Sequence, residues 1–241
     1  HEPNPLVDAN LQQTIDAVKE HNCHLGICFD GDADRCMVVD EKGSIVGCDL
    51  ITAWLAPKFL ANEEAGSIVY DLRSSHAVAK SIESVGGSSV RSRVGHVFMK
   101  QAMAEHDASF GGELSGHFYF RDNFYADSGA MAFAAVVSAL ANSDASMSEQ
   151  IVPHQQFSQS GEINFEAEDK DASMAMLVAA YPDATVDRLD GVTVDCGDWW
   201  CNVRASNTEP LLRLNLEAAS PEAVTTHVAE VSPLLGIRVD H

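Results

Sequence analysis

Positive charge is what this sequence has least of: 15 Lys and Arg stand against 36 Asp and Glu, a formal net charge of -21. That argues against nucleic acid as a partner, because such proteins need clustered cations to displace counterions from phosphates. It leaves a small phosphorylated metabolite open, since a pocket of Arg, backbone N–H groups and a metal ion is enough to hold one. No apolar stretch approaches the length of a membrane span, so no membrane association is expected. A CxxC pair is also missing, which argues against zinc. The six cysteines, Cys23, Cys28, Cys36, Cys48, Cys196 and Cys201, read as free thiols of a reducing compartment, and a cytoplasmic location is expected. The start shows no initiator Met, and no signal-peptide pattern is visible in it. The chain opens His1-Glu2-Pro3-Asn4-Pro5, a turn-like segment that reads as a start partway through a domain.

What is present is an alternation of short apolar runs and helical periods. Leu11, Ile15 and Val18 recur at helical spacing, then Leu25 to Phe29 and Cys36 to Val39 read as strands around an acidic loop. From Asp49, a predicted N-cap, the pattern predicts helix 50–60, strand 67–71, a helix capped by Ser74 or Ser75, strand 88–91, helix 97–105, strand 108–111 and helix 127–140. Residues 142–146 read as a linker. After them come strand 161–165, helix 172–181, a hairpin around Gly197 and Asp198, strand 211–217 and helix 221–231. The expected architecture is α/β. Residues 1–48 form part of one domain, 49–150 a mixed-sheet α/β domain, and 151–241 a smaller α+β domain with an antiparallel sheet. No internal repeat stands out.

Three loops carry chemistry. In Asp30-Gly31-Asp32-Ala33-Asp34-Arg35, alternate carboxylates converge if the loop curls, and such hard oxygen ligands suit Mg2+ or Ca2+. A bare acidic turn is the plain alternative, but three Asp directly after a buried strand repel one another without a cation. An EF-hand would require Gly where Arg35 stands and helices on both sides. A haloacid dehalogenase phosphatase, with Asp30 as nucleophile, would want Thr at Asp34. In Gly111-Gly112-Glu113-Leu114-Ser115-Gly116-His117, a carboxylate, a hydroxyl and an imidazole stand among glycines that let backbone approach a ligand; Glu113 and Ser115 suit sugar hydroxyls. The plain alternative is a Gly-rich connection, with His117 merely packed beside Phe118. In Arg204-Ala205-Ser206-Asn207-Thr208-Glu209-Pro210, the guanidinium fork, hydroxyls and turned amides suit phosphate, though as an isolated string it is also a common turn.

Together, in this order, the three loops resemble the α-D-phosphohexomutase family, most closely its bacterial phosphomannomutase/phosphoglucomutase branch, over nearly the whole chain. The resemblance implies a mutase interconverting hexose 6-phosphate and hexose 1-phosphate, of mannose or glucose, through a hexose 1,6-bisphosphate, with Mg2+ held by Asp30, Asp32 and Asp34. It implies that Arg35 contacts the transferring phosphoryl group or the intermediate, that Glu113 and Ser115 hold sugar hydroxyls, and that Arg204, Ser206, Asn207 and Thr208 hold the phosphate not reacting. Arg213 assists them or forms a cross-strand ion pair. His117 and His96, in Arg93-Val94-Gly95-His96, match positions near the reacting hydroxyl. Arg73, in Asp71-Leu72-Arg73-Ser74, stands where some relatives carry Lys and is cast as electrostatic support. The family's phosphorylated serine lies in a Thr-Ala-Ser-His-Asn-like loop of a first domain that has no counterpart here, so the chain is expected to be an inactive fragment whose partner is that missing N-terminal domain. The alternatives are a non-catalytic sugar-phosphate-binding protein and a metal-dependent phosphatase using Asp30.

Overall fold

The structure, a computed structural model, describes residues 4–61, 63, 65–206 and 209–239. The chain divides into two compact units, His1–Gln155 and Gln156–His241, each with its own apolar core.

In the first unit a helical turn leads into α1 (Gln12–His21), then β1 (Leu25–Phe29), β2 (Cys36–Asp40) and β3 (Ile45–Val46), which form an antiparallel sheet in that order. Next come α2 (Cys48–Leu60), β4 (Ser67–Asp71), α3 (His76–Glu83), β5 (Ser88–Ser92) and α4 (His96–Glu105). After β6 (Phe110–Gly112), β7 (Phe118–Phe120) and β8 (Ala126–Asp127) the unit ends in α5 (Gly129–Ala141) and α6 (Met147–Ile151). The second sheet has the order β5-β4-β6-β7-β8: β4 pairs in parallel with β5 and β6, and β7 and β8 return antiparallel. A mixed sheet was the expectation, but β7 and β8 were not foreseen, because runs of three and two residues are too short to show a period.

Nine of the thirteen residues of α2 are buried, Asp49 included. A helix apolar all round belongs inside a core, and this one packs on β4, β6 and three other helices. Asp49 is not the N-cap, contrary to its sequence reading: Gly47 holds that position, and the Asp49 carboxylate inside the first turn accepts the Leu50 N–H at 2.9 Å and the Ser75 N–H at 3.1 Å. Ser75 caps α3, Ser128 caps α5, and Ser146 opens α6 with a reciprocal capping box to Glu149. Residues 142–146 are therefore a built turn, not a linker.

No sequence repeat stands out, but an order of elements recurs: helix, strand, loop, strand, short strand, helix from α1 to α2 around residues 30–35, and again from α4 to α5 around residues 113–117, there with a 3-10 turn between the last two strands.

Glu41 ties the start of the unit to its end. Its carboxylate accepts the Ser148 N–H at 3.1 Å and the Ser148 hydroxyl. Burial alone would raise its pKa, but these hydrogen bonds outweigh burial and hold it at about 2. A depressed carboxyl stabilises the fold above its unfolded value, roughly 4.3, and the contribution fades as pH falls from there toward 2. Thermal unfolding of Glu41→Gln should show a deficit of about 1–2 kcal/mol at pH 7 that shrinks steadily below pH 4.5. A deficit independent of pH would refute this account.

The second unit is a six-stranded antiparallel sheet. Its strands are β9 (Ser158–Glu166), β10 (Thr185–Asp187), β11 (Val192–Asp195), β12 (Trp199–Ala205), β13 (Leu211–Ala218) and β14 (Ile237–Val239), in the order β10-β11-β12-β13-β9-β14. The helices α7 (Lys170–Ala180) and α8 (Pro221–Leu235) pack against each other and against the sheet, around Phe165, Leu177, Leu214 and Val231. Among the described residues no helix is long and apolar enough to cross a membrane.

Candidate functional site

Residues 30–35 join β1 to β2, whose register pairs Phe29 with Cys36, so the loop must reverse within six residues. Ala33 takes left-handed backbone, φ 61°, to do it. The reversal brings the carboxylates together: one oxygen each of Asp30, Asp32 and Asp34 lie within 4.8 Å of one another. Asp30 Oδ1 accepts the Arg35 N–H at 3.2 Å, and Arg35 Nε stands 3.4 Å from Asp30 Oδ2. Burial works to raise Asp30, but the Arg35 amide, the neighbouring Asp34 carboxyl and the Arg35 guanidinium prevail and hold it low. Asp34 goes the other way, raised by burial and by Asp30 and Asp32 against the opposing charge of His117. Asp34 Oδ1 is buried and has no hydrogen-bond partner among the described residues. Three carboxylates at a spacing one ion can span, together with an Asp34 Oδ1 that accepts no hydrogen bond, fit a divalent cation such as Mg2+ or Ca2+. Strands flank the loop on both sides, which removes the EF-hand.

The loop between β6 and β7 meets this one through backbone. Arg35 and His117 form an isolated antiparallel bridge, and the Cys36 N–H donates to Gly116 O at 3.0 Å. Arg35 Nε donates to His117 Nε2 at 3.4 Å, which leaves the proton of the neutral ring on Nδ1, facing Ser115 Oγ at 3.0 Å and Glu113 Oε2 at 3.4 Å. Asp34 Oδ1 lies 3.4 Å from the same Nε2. Burial would lower the His117 pKa, but the hydrogen bond to Glu113 and the charges of Glu113 and Asp34 raise it on balance. Asp34, Arg35, Glu113, Ser115 and His117 thus form one connected constellation.

Glu113 itself is 2% exposed. Its Oε1 accepts the Gly95 N–H at 3.1 Å and its Oε2 the Tyr119 hydroxyl at 2.7 Å, so both oxygens have partners within the protein. Gly95 precedes His96, which is exposed in the first turn of α4. Arg73 does not stand as a free cation. Its Nε and Nη2 donate to Asp71 Oδ1 and Oδ2 at 3.2 and 2.7 Å.

In the second unit Arg204 and Arg213 face each other across β12 and β13, and both ion-pair with Glu162 of β9, Arg213 Nη1 at 3.3 Å. Arg213 Nη2 also reaches Glu209 at 2.8 Å. The ion-pair reading of Arg213 is thus realised in the structure. Ser206 donates its N–H to Leu211 O at 2.8 Å, and its hydroxyl accepts the Glu209 N–H at 3.2 Å. Asn207 and Thr208 lie outside the described residues.

Sequence reasoning gave no role to four residues that hold these loops. Asp71 and Tyr119 carried no signal, being a strand end and a strand interior. Gly129 and Glu162 lie far along the chain from the loops they meet.

Comparison with known proteins now adds the lineage. Three family models match in succession: Phosphoglucomutase/phosphomannomutase, alpha/beta/alpha domain II over residues 1–43, its alpha/beta/alpha domain III over 48–156, and its C-terminal domain over 162–234. A phosphomannomutase of Methanocaldococcus jannaschii is 42% identical over 235 residues, covering 98% of this chain and 52% of the relative. The crystal structure of a phosphoglucomutase/phosphomannomutase family protein from Burkholderia thailandensis superposes with a TM-score of 0.88 at 28% identity, over 98% of this chain and 51% of that one. An Aspergillus fumigatus N-acetylphosphoglucosamine mutase, solved in complex with GlcNAc-6P and magnesium, shares the fold with a TM-score of 0.67 at 15% identity, over 86% of this chain and 48% of that one. The chain spans about half the length of the relatives it matches. By its three successive domains and the strength of these likenesses, it belongs to the phosphoglucomutase/phosphomannomutase, or α-D-phosphohexomutase, family.

Proposed function

We propose that the polypeptide to which this chain corresponds interconverts hexose 6-phosphate and hexose 1-phosphate, of mannose or glucose, through a bisphosphorylated sugar. Residues 1–48 are read as the end of the second domain, 49–150 as the third and 151–241 as the fourth. The observation that carries the reading is the Arg35–His117 bridge, which makes the carboxylate loop and the sugar loop one site.

Members of this family are generally metal-dependent. Asp30, Asp32 and Asp34 would hold the ion, read as Mg2+, which when bound neutralises charge on a transferring phosphoryl group. Arg35, fixed by Asp30, points a cation into the same place. Ser115 and Glu113 hold sugar hydroxyls, Glu113 exchanging one of its present partners for a hydroxyl. His117, its pKa raised and its ring oriented by Glu113, carries a proton to or from the reacting hydroxyl, with His96 as the second imidazole. Arg73 supports negative charge through its fixed guanidinium. Arg204, Ser206, Asn207 and Thr208 hold the phosphate that is not transferred, and Arg213 assists them.

Calorimetric titration of glucose 1,6-bisphosphate into the 241-residue chain tests this. Binding should be at least ten-fold tighter with Mg2+ than without, and Arg204→Ala should weaken it at least ten-fold while the fold is retained. Unchanged binding in Arg204→Ala would sink the phosphate-loop assignment. Release of inorganic phosphate by the chain alone, abolished in Asp30→Asn, would make it a phosphatase instead.

A further inference from the structure

We infer that Asp71 is a positioning residue of the sugar-phosphate site: one buried carboxylate holds Arg73 and the backbone of the sugar loop in fixed register. The inference rests on the function proposed above.

Asp71 is the last residue of β4, and β4 is where the parallel part of the sheet changes direction, with β5 on one side and β6 on the other. Crevices for ligands form outside the carboxyl ends of strands at such a reversal. Asp71 is 0% exposed. Its Oδ1 accepts the Arg73 N–H at 2.8 Å as well as Arg73 Nε, and its Oδ2 accepts both Arg73 Nη2 and the Leu114 N–H, the latter at 2.8 Å. A turn after a strand needs at most a neutral acceptor for its first amide, which Asn or Ser supplies. A fully buried charge is costly unless a cation and several donors answer it, and here one donor, the Leu114 N–H, comes from a segment 43 positions further along the chain. The carboxylate therefore does more than close its own turn.

The neighbouring residue of the sugar loop is tied in the same manner. Glu113 Oε1 takes the Gly95 N–H, three residues beyond the end of β5. Two consecutive residues, Glu113 and Leu114, are thus fastened to the segments that follow β5 and end β4. Ser115 and His117 project from a backbone that cannot slide relative to Arg73. Loss of the Asp71 charge would loosen the hold on the guanidinium and on the Leu114 amide together, while residues 30–35 keep the supports of β1, β2 and α5 besides their backbone bridge to Gly116 and His117.

That separation supplies the test. In Asp71→Asn, hydrogen exchange at the Leu114 amide should quicken at least ten-fold, and affinity for glucose 1,6-bisphosphate should fall about ten-fold. Affinity of the carboxylate loop for Mn2+ should stay within two-fold of the parent chain. Leu114 exchange at the parent rate overturns the inference, and so does loss of Mn2+ binding in step with the bisphosphate, which would mark a merely structural role. Should Asp71→Asn fail to fold, the double variant Asp71→Asn/Arg73→Met leaves no buried charge unanswered: rapid Leu114 exchange with Mn2+ binding intact supports the inference, and parent-like exchange overturns it. If the unaltered chain does not bind the bisphosphate, the proposed function fails on its own, and Leu114 exchange still decides the role of Asp71.

Discussion

Replacing Gly129 with alanine should cost the chain at least ten-fold in affinity for Mg2+ or Mn2+ and destabilise the first unit by about 1–3 kcal/mol. A Cβ at this position would come within 2.6 Å of the carbonyl oxygens of both Ala33 and Arg35. Neither is the flexible end of a side chain. Both belong to the loop that gathers the three carboxylates, and the Gly129 N–H donates to Ala33 O at 3.2 Å, so the start of α5 and the loop are already in contact. Ala33, at φ 61°, occupies backbone that L-residues tolerate poorly and has little freedom to yield. The loop must be displaced, and three oxygens that now lie within 4.8 Å of one another will lose their common centre. Isothermal calorimetry with Mn2+ and a thermal melt measure the two effects. Parent-like affinity in a folded Gly129→Ala chain would show that α5 does not shape the metal loop.

Glu162→Gln should lower the stability of the second unit by about 2–4 kcal/mol, a shift on the order of 10 °C in its melting temperature. Arg204 and Arg213 stand directly opposite on adjacent strands, where like charges repel. Glu162 touches both. The Arg204 side chain is only 6% exposed and cannot turn to water for solvation, whereas Arg213 keeps Glu209 and is 25% exposed. Glutamine preserves the shape of the side chain and removes only the charge, so the deficit measures the buried cation left beside its neighbour. Differential scanning calorimetry should therefore find Glu162→Gln far more damaging than Glu209→Gln. Equal melting temperatures for the two variants would contradict the account.

These two residues mark the limit of what could be read from the chain. The acidic hexad from Asp30 to Arg35 was legible because it follows an apolar run and precedes another; the structure places both strands and the reversal between them. The phosphate role of Arg204 rests on the proposal above, but the residue was singled out for local reasons too, as the guanidinium ahead of a Ser-Asn-Thr turn. Glu162 was not, since it lies 42 positions before Arg204 and reaches it only through the order β12-β13-β9. Gly129 resembled any helix start, and no local pattern reports that a carbonyl from residue 33 will rest against it. Asp49 shows the reverse error. Its position suited a cap, but the demand of the buried Ser75 N–H drew its carboxylate elsewhere.

By itself the sequence determined where most of the longer strands and helices and the three polar loops lie, because hydrophobic period, capping residues and glycine placement act over a few positions. It also pointed to the class of ligand proposed above, since carboxylate, hydroxyl, imidazole and guanidinium groups limit which partners can be recognised. Only the tertiary structure decided which of these groups are free to act and which are already held. The Arg35–His117 bridge, the burial of Glu113 and the capture of Arg73 by Asp71 all follow from strand order. Strand order is set by the burial of whole faces, a sum over the entire core that no local stretch of sequence contains.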